Sequence, residues 1–170
     1  MIFFKLPAII LLVTPIFGTA LSAQNSSGEN QPAKAERLSE YRWQNRLLLL
    51  FSGDGSSEPY RNQLQSISAH LSGYRDRDML VIHVNEVKEY ELSEDEISLH
   101  RRAPKEIQIR WNKKFAVKDG QFMAILIGKD GTEKLRTDEV LPANKLFSVI
   151  DAMPMRQQEM KNNSKNRKGF

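Results

Sequence analysis

Three short apolar runs punctuate the chain: LLLLF at 47–51, MLVIHV at 79–84 and FMAILI at 122–127. Each is shorter than an ordinary helix, apolar on both faces and bounded by turn-forming or charged residues. That pattern predicts interior strands of a parallel or mixed sheet, with a buried helical turn as the competing reading of 47–51. Between the first two runs, Tyr60, Leu64, Ile67 and Leu71 recur at helical spacing. They predict an amphipathic helix capped by Ser56 or Ser57, with Glu58 and Pro59 in its first turn and Gly73 at its end. Strand, helix, strand in this order implies a right-handed crossover and a parallel pair.

The second half carries equally clear punctuation. Ser93 and Glu96 form a capping-box pattern, Glu94 and Asp95 fall in the first turn, and His100, Arg101 and Arg102 fall near the expected end of that helix. Pro104 opens a further helix in which Ile107, Trp111 and Phe115 recur every fourth residue, leaving Lys105, Glu106, Lys113 and Lys114 to solvent. After the third apolar run, Asp130-Gly131 predicts a two-residue hairpin turn, and 132–136 returns antiparallel as a polar sheet edge. Leu146, Val149, Ile150 and Met153 mark a last helix that Pro154 interrupts, with 155–160 as an extra turn. Upstream of the first strand, 38–46 is a short lead-in whose Leu38, Tyr41 and Trp43 cover one end of the core.

The ends differ in kind from the body. Residues 1–23 have one basic residue, an apolar stretch at 6–17 and small residues at Ala20 and Ala23, the layout of a signal peptide cleaved after Ala23 or, alternatively, Ala20. Pro7 and Pro15 break the apolar stretch, which is shorter than the roughly 20 residues of a spanning helix. No transmembrane segment is therefore expected after cleavage, and a periplasmic or secreted location follows. A polar leader occupies 24–37, one domain 38–160 and a disordered basic tail 161–170. The chain's formal charge of +4 belongs to the last residues, where Arg156, Lys161, Lys165, Arg167 and Lys168 face Glu159 alone. The body is close to neutral.

An exported protein tolerates disulfides, yet this chain has no cysteine. Thiol redox, cysteine nucleophiles and thiolate metal sites are thereby excluded.

The element order is that of a thioredoxin-like three-layer α/β sandwich: a central mixed sheet with a C-terminal β-hairpin and flanking helices. The strings YRWQNRLLLLF, RDMLVIHV, FMAILIGKDGTEKLR and IDAMPMRQQEM go further. Across 38–160 the chain resembles a family of exported bacterial domains of unknown function, itself similar to the thioredoxin-like module of vertebrate sushi-repeat-containing proteins and equarin. The resemblance implies an extracellular or matrix-associated setting, and a peroxiredoxin-like or oxidoreductase lineage by fold alone. In redox-active relatives the reactive cysteine follows the first strand, and a cis-proline precedes the third of the runs described above. Here SGDGSSE occupies 52–58 and no proline stands just before Phe122.

Asp54, Gly55, Ser56 and Ser57 form the candidate ligand-binding loop, because open α/β sheets bind ligands at the carboxyl ends of their strands. Backbone amides and hydroxyls at a helix start favour anions, although Asp54 and Glu58 oppose one; a solvated turn with a serine cap is the alternative. His70, His83 and His100 show no ligand spacing, with His83 on a strand and the other two on helices, so no metal and no cofactor is expected. A hydrolase would have to combine Ser56 or Ser57 with His83 and Asp54, without a nucleophile-elbow sequence. Met153, Met155 and Met160 read either as closure of the core or as a soft surface for a metal or an apolar partner. No catalytic residue is assigned. The expected role is a redox-inactive binding or adhesion module of the cell envelope, with another envelope protein or an anionic polymer as partner and no specific nucleic acid. The alternative is an oxidoreductase-lineage enzyme acting without cysteine.

Overall fold

The computed structural model describes residues 38–53, 55–84 and 93–168. The expected signal peptide at 1–23, the leader at 24–37, Asp54 and the last two residues lie outside the described residues.

The three apolar runs are strands of one five-stranded mixed sheet. The strands are β1 (Arg46–Phe51), β2 (Met79–His83), β3 (His100–Arg102), β4 (Met123–Ile127) and β5 (Glu133–Thr137), in the spatial order β3-β2-β1-β4-β5. β2 runs parallel to β1 and to β3, while β4 runs antiparallel to β1 and β5. The helices are α1 (Glu58–Ser68), α2 (Leu71–Asp76), α3 (Glu94–Ile97), α4 (Lys105–Lys114), α5 (Ala143–Asp151) and α6 (Pro154–Lys168).

Strand alternation divides the five apolar residues of β1 between two cores. Leu48 and Leu50 join Val81, Ala124 and Leu126 beneath Tyr60, Ile67, Tyr74, Leu146 and Ile150 of α1, α2 and α5. Leu47, Leu49 and Phe51 join Ile82, Ile125 and Ile127 beneath Ile107 and Trp111 of α4, with Tyr41 and Phe115 alongside. The result is the expected three-layer α/β arrangement, with the central strands buried on both faces.

Several local expectations are corrected. The helix after β1 breaks at Ala69 and His70 and resumes as α2, so Gly73 lies inside a helix instead of ending one. A Cβ there would stand 2.5 Å from the Phe147 ring, which is why the smallest residue occupies the position. α3 is a single turn closed by the Ser93–Glu96 capping box, and His100, Arg101 and Arg102 form edge strand β3 instead of its last turn. Trp43 does not cover the core: it is 60% exposed with φ 66°, its N–H donating to the Lys129 carbonyl at 2.7 Å.

The hairpin turn is longer than two residues. The Gly131 N–H reaches Gly128 O, the Gly128 N–H reaches Thr132 O, and only Gly131 takes a positive φ, at 78°. This is a type I turn followed by a left-handed residue, with the register shift at Leu126/Ile127 that such a loop brings. Asp130 stays right-handed because its carboxylate accepts from the Thr132 N–H at 3.0 Å and hydroxyl at 2.9 Å.

Pro154 begins α6 instead of merely interrupting α5, and α6 continues to Lys168 through most of the segment expected to be disordered from Lys161. Gln157, Gln158, Glu159 and Lys161 are good helix formers that carry the helix into this stretch, and Gln158 bonds Asn162 one turn on. An ion network built on the buried Arg156 and Arg46 holds its start. Arg156, 3% exposed, donates to Asp151 Oδ1 at 3.2 Å and to the Asp76 carbonyl at 2.7 Å, and pairs with the Asp76 carboxylate. Glu159 accepts from Arg46 at 3.1 Å and Lys129 at 2.8 Å. No helix among the described residues is long and apolar enough to cross a membrane.

Candidate functional site

The loop at 52–57 leaves the carboxyl end of β1 and enters α1, as expected. Ser57 occupies the N-cap position in extended backbone, but its side chain makes no capping bond; its Oγ lies 3.4 Å from that of Ser52, which is buried. Gly55 takes φ 73°, and Ser56 is exposed. Asp54 lies outside the described residues, so three of the four candidate ligand-binding residues are placed together at the helix start. The loop leans on the turn that precedes β4: a Cβ on Gly53 would stand 3.0 Å from the Gly120 Cα. The contact between the loop after β1 and the turn before β4 is thus glycine against glycine.

One turn into α1 the chemistry changes from hydroxyls to a buried chain of titratable rings. The Tyr60 hydroxyl lies 2.7 Å from His83 Nδ1, and His83 Nε2 lies 2.6 Å from His100 Nδ1. Tyr60 is 1%, His83 0% and His100 6% exposed. The two imidazoles stack 4.9 Å apart at 11°, while Tyr60 meets His83 edge-on. The two contacts are compatible with either direction of donation: Tyr60 donates to His83, which donates to His100, or the order reverses with the tautomers.

Sequence spacing missed this arrangement. It depends on the parallel register that pairs Val81 with His100 and His83 with Arg102, and β3 has no apolar pattern to announce it.

Electrostatics keep the chain neutral. Burial, then the neighbouring His100 and Arg102, hold His83 well below the ordinary imidazole range. Burial lowers His100 to about 4, with Glu96 opposing and Arg101 assisting. Burial pushes the Glu96 carboxyl up, but hydrogen bonds from Ser68 and Ser93 and the nearby His100 outweigh it and leave it lowered. With both His83 ring nitrogens engaged by Tyr60 and His100, the combination of Ser56 or Ser57 with His83 is not assembled as a nucleophile and base.

Among the described residues no group of three or more His, Cys, Asp or Glu side chains is placed to hold a metal ion. Of the methionines, Met153 packs against the core, while Met155 and Met160 are 40% and 37% exposed. Met153 and Met155 line a cavity of about 260 Å³ at the opposite end of the sheet from the loop at 52–57.

A central mixed sheet with this strand order, helices on both faces and a first-strand loop running into α1 defines a thioredoxin-like α/β domain. The chain belongs to the family described as "Domain of unknown function (DUF4174)", whose model matches residues 37–159. No curated protein matches it. Among solved structures it is similar to the reduced 2-Cys peroxiredoxin of Plasmodium vivax, at 12% identity over 71% of this chain and 84% of that one, with a TM-score of 0.50. It is also similar to thioredoxin peroxidase I of Plasmodium yoelii, at 15% identity over 71% of this chain and 79% of that one, with a TM-score of 0.53. At such identity the likeness is one of fold.

Proposed function

We propose that the protein is an exported, redox-inactive thioredoxin-like binding module of the cell envelope, presenting the loop at 52–57 or the β5 edge to another envelope protein or an anionic polymer. The observation that carries this reading is what stands at the loop: a Ser52–Ser57 hydroxyl pair over a Tyr60–His83–His100 chain that is sealed in the core. Among the described residues the Ser52 and Ser57 hydroxyls face each other and not a base, which leaves each a weak nucleophile, whereas the exposed side of the loop and a polar sheet edge supply hydrogen-bonding groups for a partner. The resemblance to matrix-associated modules supports the setting. The cysteine-free enzyme is the weaker reading, because its best titratable groups are buried away from substrate.

The test uses the purified chain against a control thioredoxin-like domain, on envelope extract and on anionic polymers at moderate salt. A partner retained by this chain and lost on Ser56→Trp supports the reading. Retention of nothing above the control, or steady consumption of peroxide or disulfide with turnover, overturns it. A reporter fused behind residues 1–23 and active only in the cytoplasm would overturn export.

A further inference from the structure

The near-neutral sum of the body conceals a segregation of charge. Between His100 and Gly120 the chain carries seven basic residues and two acids, Glu106 and Asp119, so the rest of the body is acidic. All nine are exposed, along β3, α4 and the turn after it. β3 is the edge of the sheet opposite β5.

Elsewhere in the domain cations are matched. Arg46, Arg77, Lys129, Lys134, Arg136 and Arg156 each stand against a carboxylate. On α4 the side chains of Arg110 and Lys113 make no ion pair or hydrogen bond among the described residues. Arg101 donates to the carbonyls of Ile97 at 3.1 Å and His100 at 2.7 Å, and Lys114 lies 5.5 Å from the centroid of the Phe115 ring. Among the described residues neither meets a carboxylate, so both charges stay unmatched.

Helix stability does not account for this pattern. Lys113 and Lys114 in the last turn of α4 suit the helix dipole, but Lys105 stands in the first turn, where an acid is favoured. Nor does it account for the residue at the centre. Ile107 and Trp111 turn inward with Phe115, which puts Ile109 in the middle of the opposite face. It is 70% exposed, the most of any large hydrophobic among the described residues. Lys105 and Lys113 lie one turn to either side of it, and Arg110 beside it.

An apolar tip among unmatched cations is complementary to a surface that is negative at one depth and apolar just beneath. A dissolved polyanion supplies the charge and offers nothing to Ile109. An anionic bilayer supplies both: phosphates for the cationic heads, and an acyl boundary for the isoleucine and for the aliphatic stems of lysine and arginine.

We infer that the outer face of α4, with Arg101 on the adjoining edge strand, is a docking surface for an anionic phospholipid bilayer, Ile109 passing between the headgroups while Arg110 and Lys113 rest at their phosphates. With one apolar residue inserted, the attachment is peripheral, reversible and salt-sensitive. It uses neither the loop at 52–57 nor the β5 edge, so it stands or falls apart from the function proposed for them.

The experiment sediments the chain from Gln24, whose described fold begins at Leu38, with vesicles of equal parts phosphatidylglycerol and phosphatidylcholine or of phosphatidylcholine alone. Retention is expected on the mixed vesicles at about 0.05 M salt, lost at about 1 M as the Debye length shrinks to about 3 Å, and about tenfold or more weaker without the anionic lipid. Arg110→Gln with Lys113→Gln should weaken it about 25-fold, at about fivefold per cation, and Ile109→Ala about fivefold. All three positions are exposed, so the fold is preserved. The chain has no cysteine, so Ile109→Cys takes a single environment-sensitive fluorophore, whose emission should move to the blue on mixed vesicles. Absence of retention, equal retention on phosphatidylcholine, an unaltered Arg110/Lys113 double variant or a fluorophore that stays in water each overturn the inference. Retention unchanged by Ile109→Ala would mark a soluble polyanion as the partner instead, and retention abolished by Lys161→Gln with Lys165→Gln alone would assign it to α6; both also overturn it.

Discussion

His83 and His100 face each other as a stacked pair, 4.9 Å between ring centroids, joined by an Nε2 to Nδ1 contact of 2.6 Å. Neither ring reaches bulk water, and each resists a proton.

Acid should therefore unfold this protein early. His100 has a folded pKa of about 4 against an unfolded value near 6.5, and His83 lies lower still than its unfolded value. Between those limits the unfolded chain binds more protons, so stability rises with pH. As pH falls from 6.5 to 4, His100 alone accounts for about 3 kcal/mol of lost stability. Urea unfolding at a series of pH values reads the slope, and His100→Gln should reduce it; a flat profile across this window would contradict the buried pair.

Two buried tyrosines should respond in opposite directions when cut back to phenylalanine. Tyr60→Phe removes the 2.7 Å contact to His83 and is expected to cost about 1–2 kcal/mol. The Tyr74 hydroxyl is equally buried but has no hydrogen-bond partner among the described residues, and burial raises its pKa. Tyr74→Phe relieves that desolvation and should be neutral or stabilising by about 1 kcal/mol. Thermal melts of the two variants decide the matter, and destabilisation by Tyr74→Phe would show that its hydroxyl is satisfied.

The Gly53–Gly120 contact leaves no room for a side chain at position 53. A Cβ at 53 would meet backbone at 3.0 Å, and backbone yields less readily than a side-chain tip. Gly53→Ala is expected to cost about 1 kcal/mol and Gly53→Val about 2–3 kcal/mol. Amide shifts in both loops together would mark the contact; shifts confined to 52–57 would refute it.

Arg156 is the clamp of the ion network. Replacing it with methionine preserves helix propensity but strips Asp76 and Asp151 of a shared partner, with Arg77 still beside Asp151 at 2.6 Å. Because both carboxylates keep some water, the expected cost is about 2 kcal/mol, below that of a fully buried broken pair. Hydrogen exchange should accelerate along α6 more than in β1. Uniform acceleration everywhere would mean that the network stabilises the whole domain and not the helix.

The apolar runs were legible because a strand buried on both faces writes itself as consecutive hydrophobic residues, and Ser93–Glu96 was legible because a capping box is local. β3 was not: two of its three side chains are exposed, and its single buried residue is a histidine. The same limit hid Arg46, whose carboxylate partner Glu159 lies 113 positions away and leaves no periodic trace. The loop at 52–57 could be located from its turn residues, but the imidazole chain beneath it exists only through strand register and the docking of α1. Hydrophobic periodicity reports which face is covered, not which polar groups meet under the cover.

The ion pairs that seat α6 are confined to its first two turns, and from Met160 to Lys165 every side chain is exposed. At 1.5 Å per residue, the stretch from the last clamp to Lys168 extends about 13 Å, more than a Debye length at physiological ionic strength. The surplus charge of the chain thus rides on an outrigger, electrically uncoupled from the sheet. An anionic surface could grip that spar, or a protease trim it, while the globule behind it stayed undisturbed.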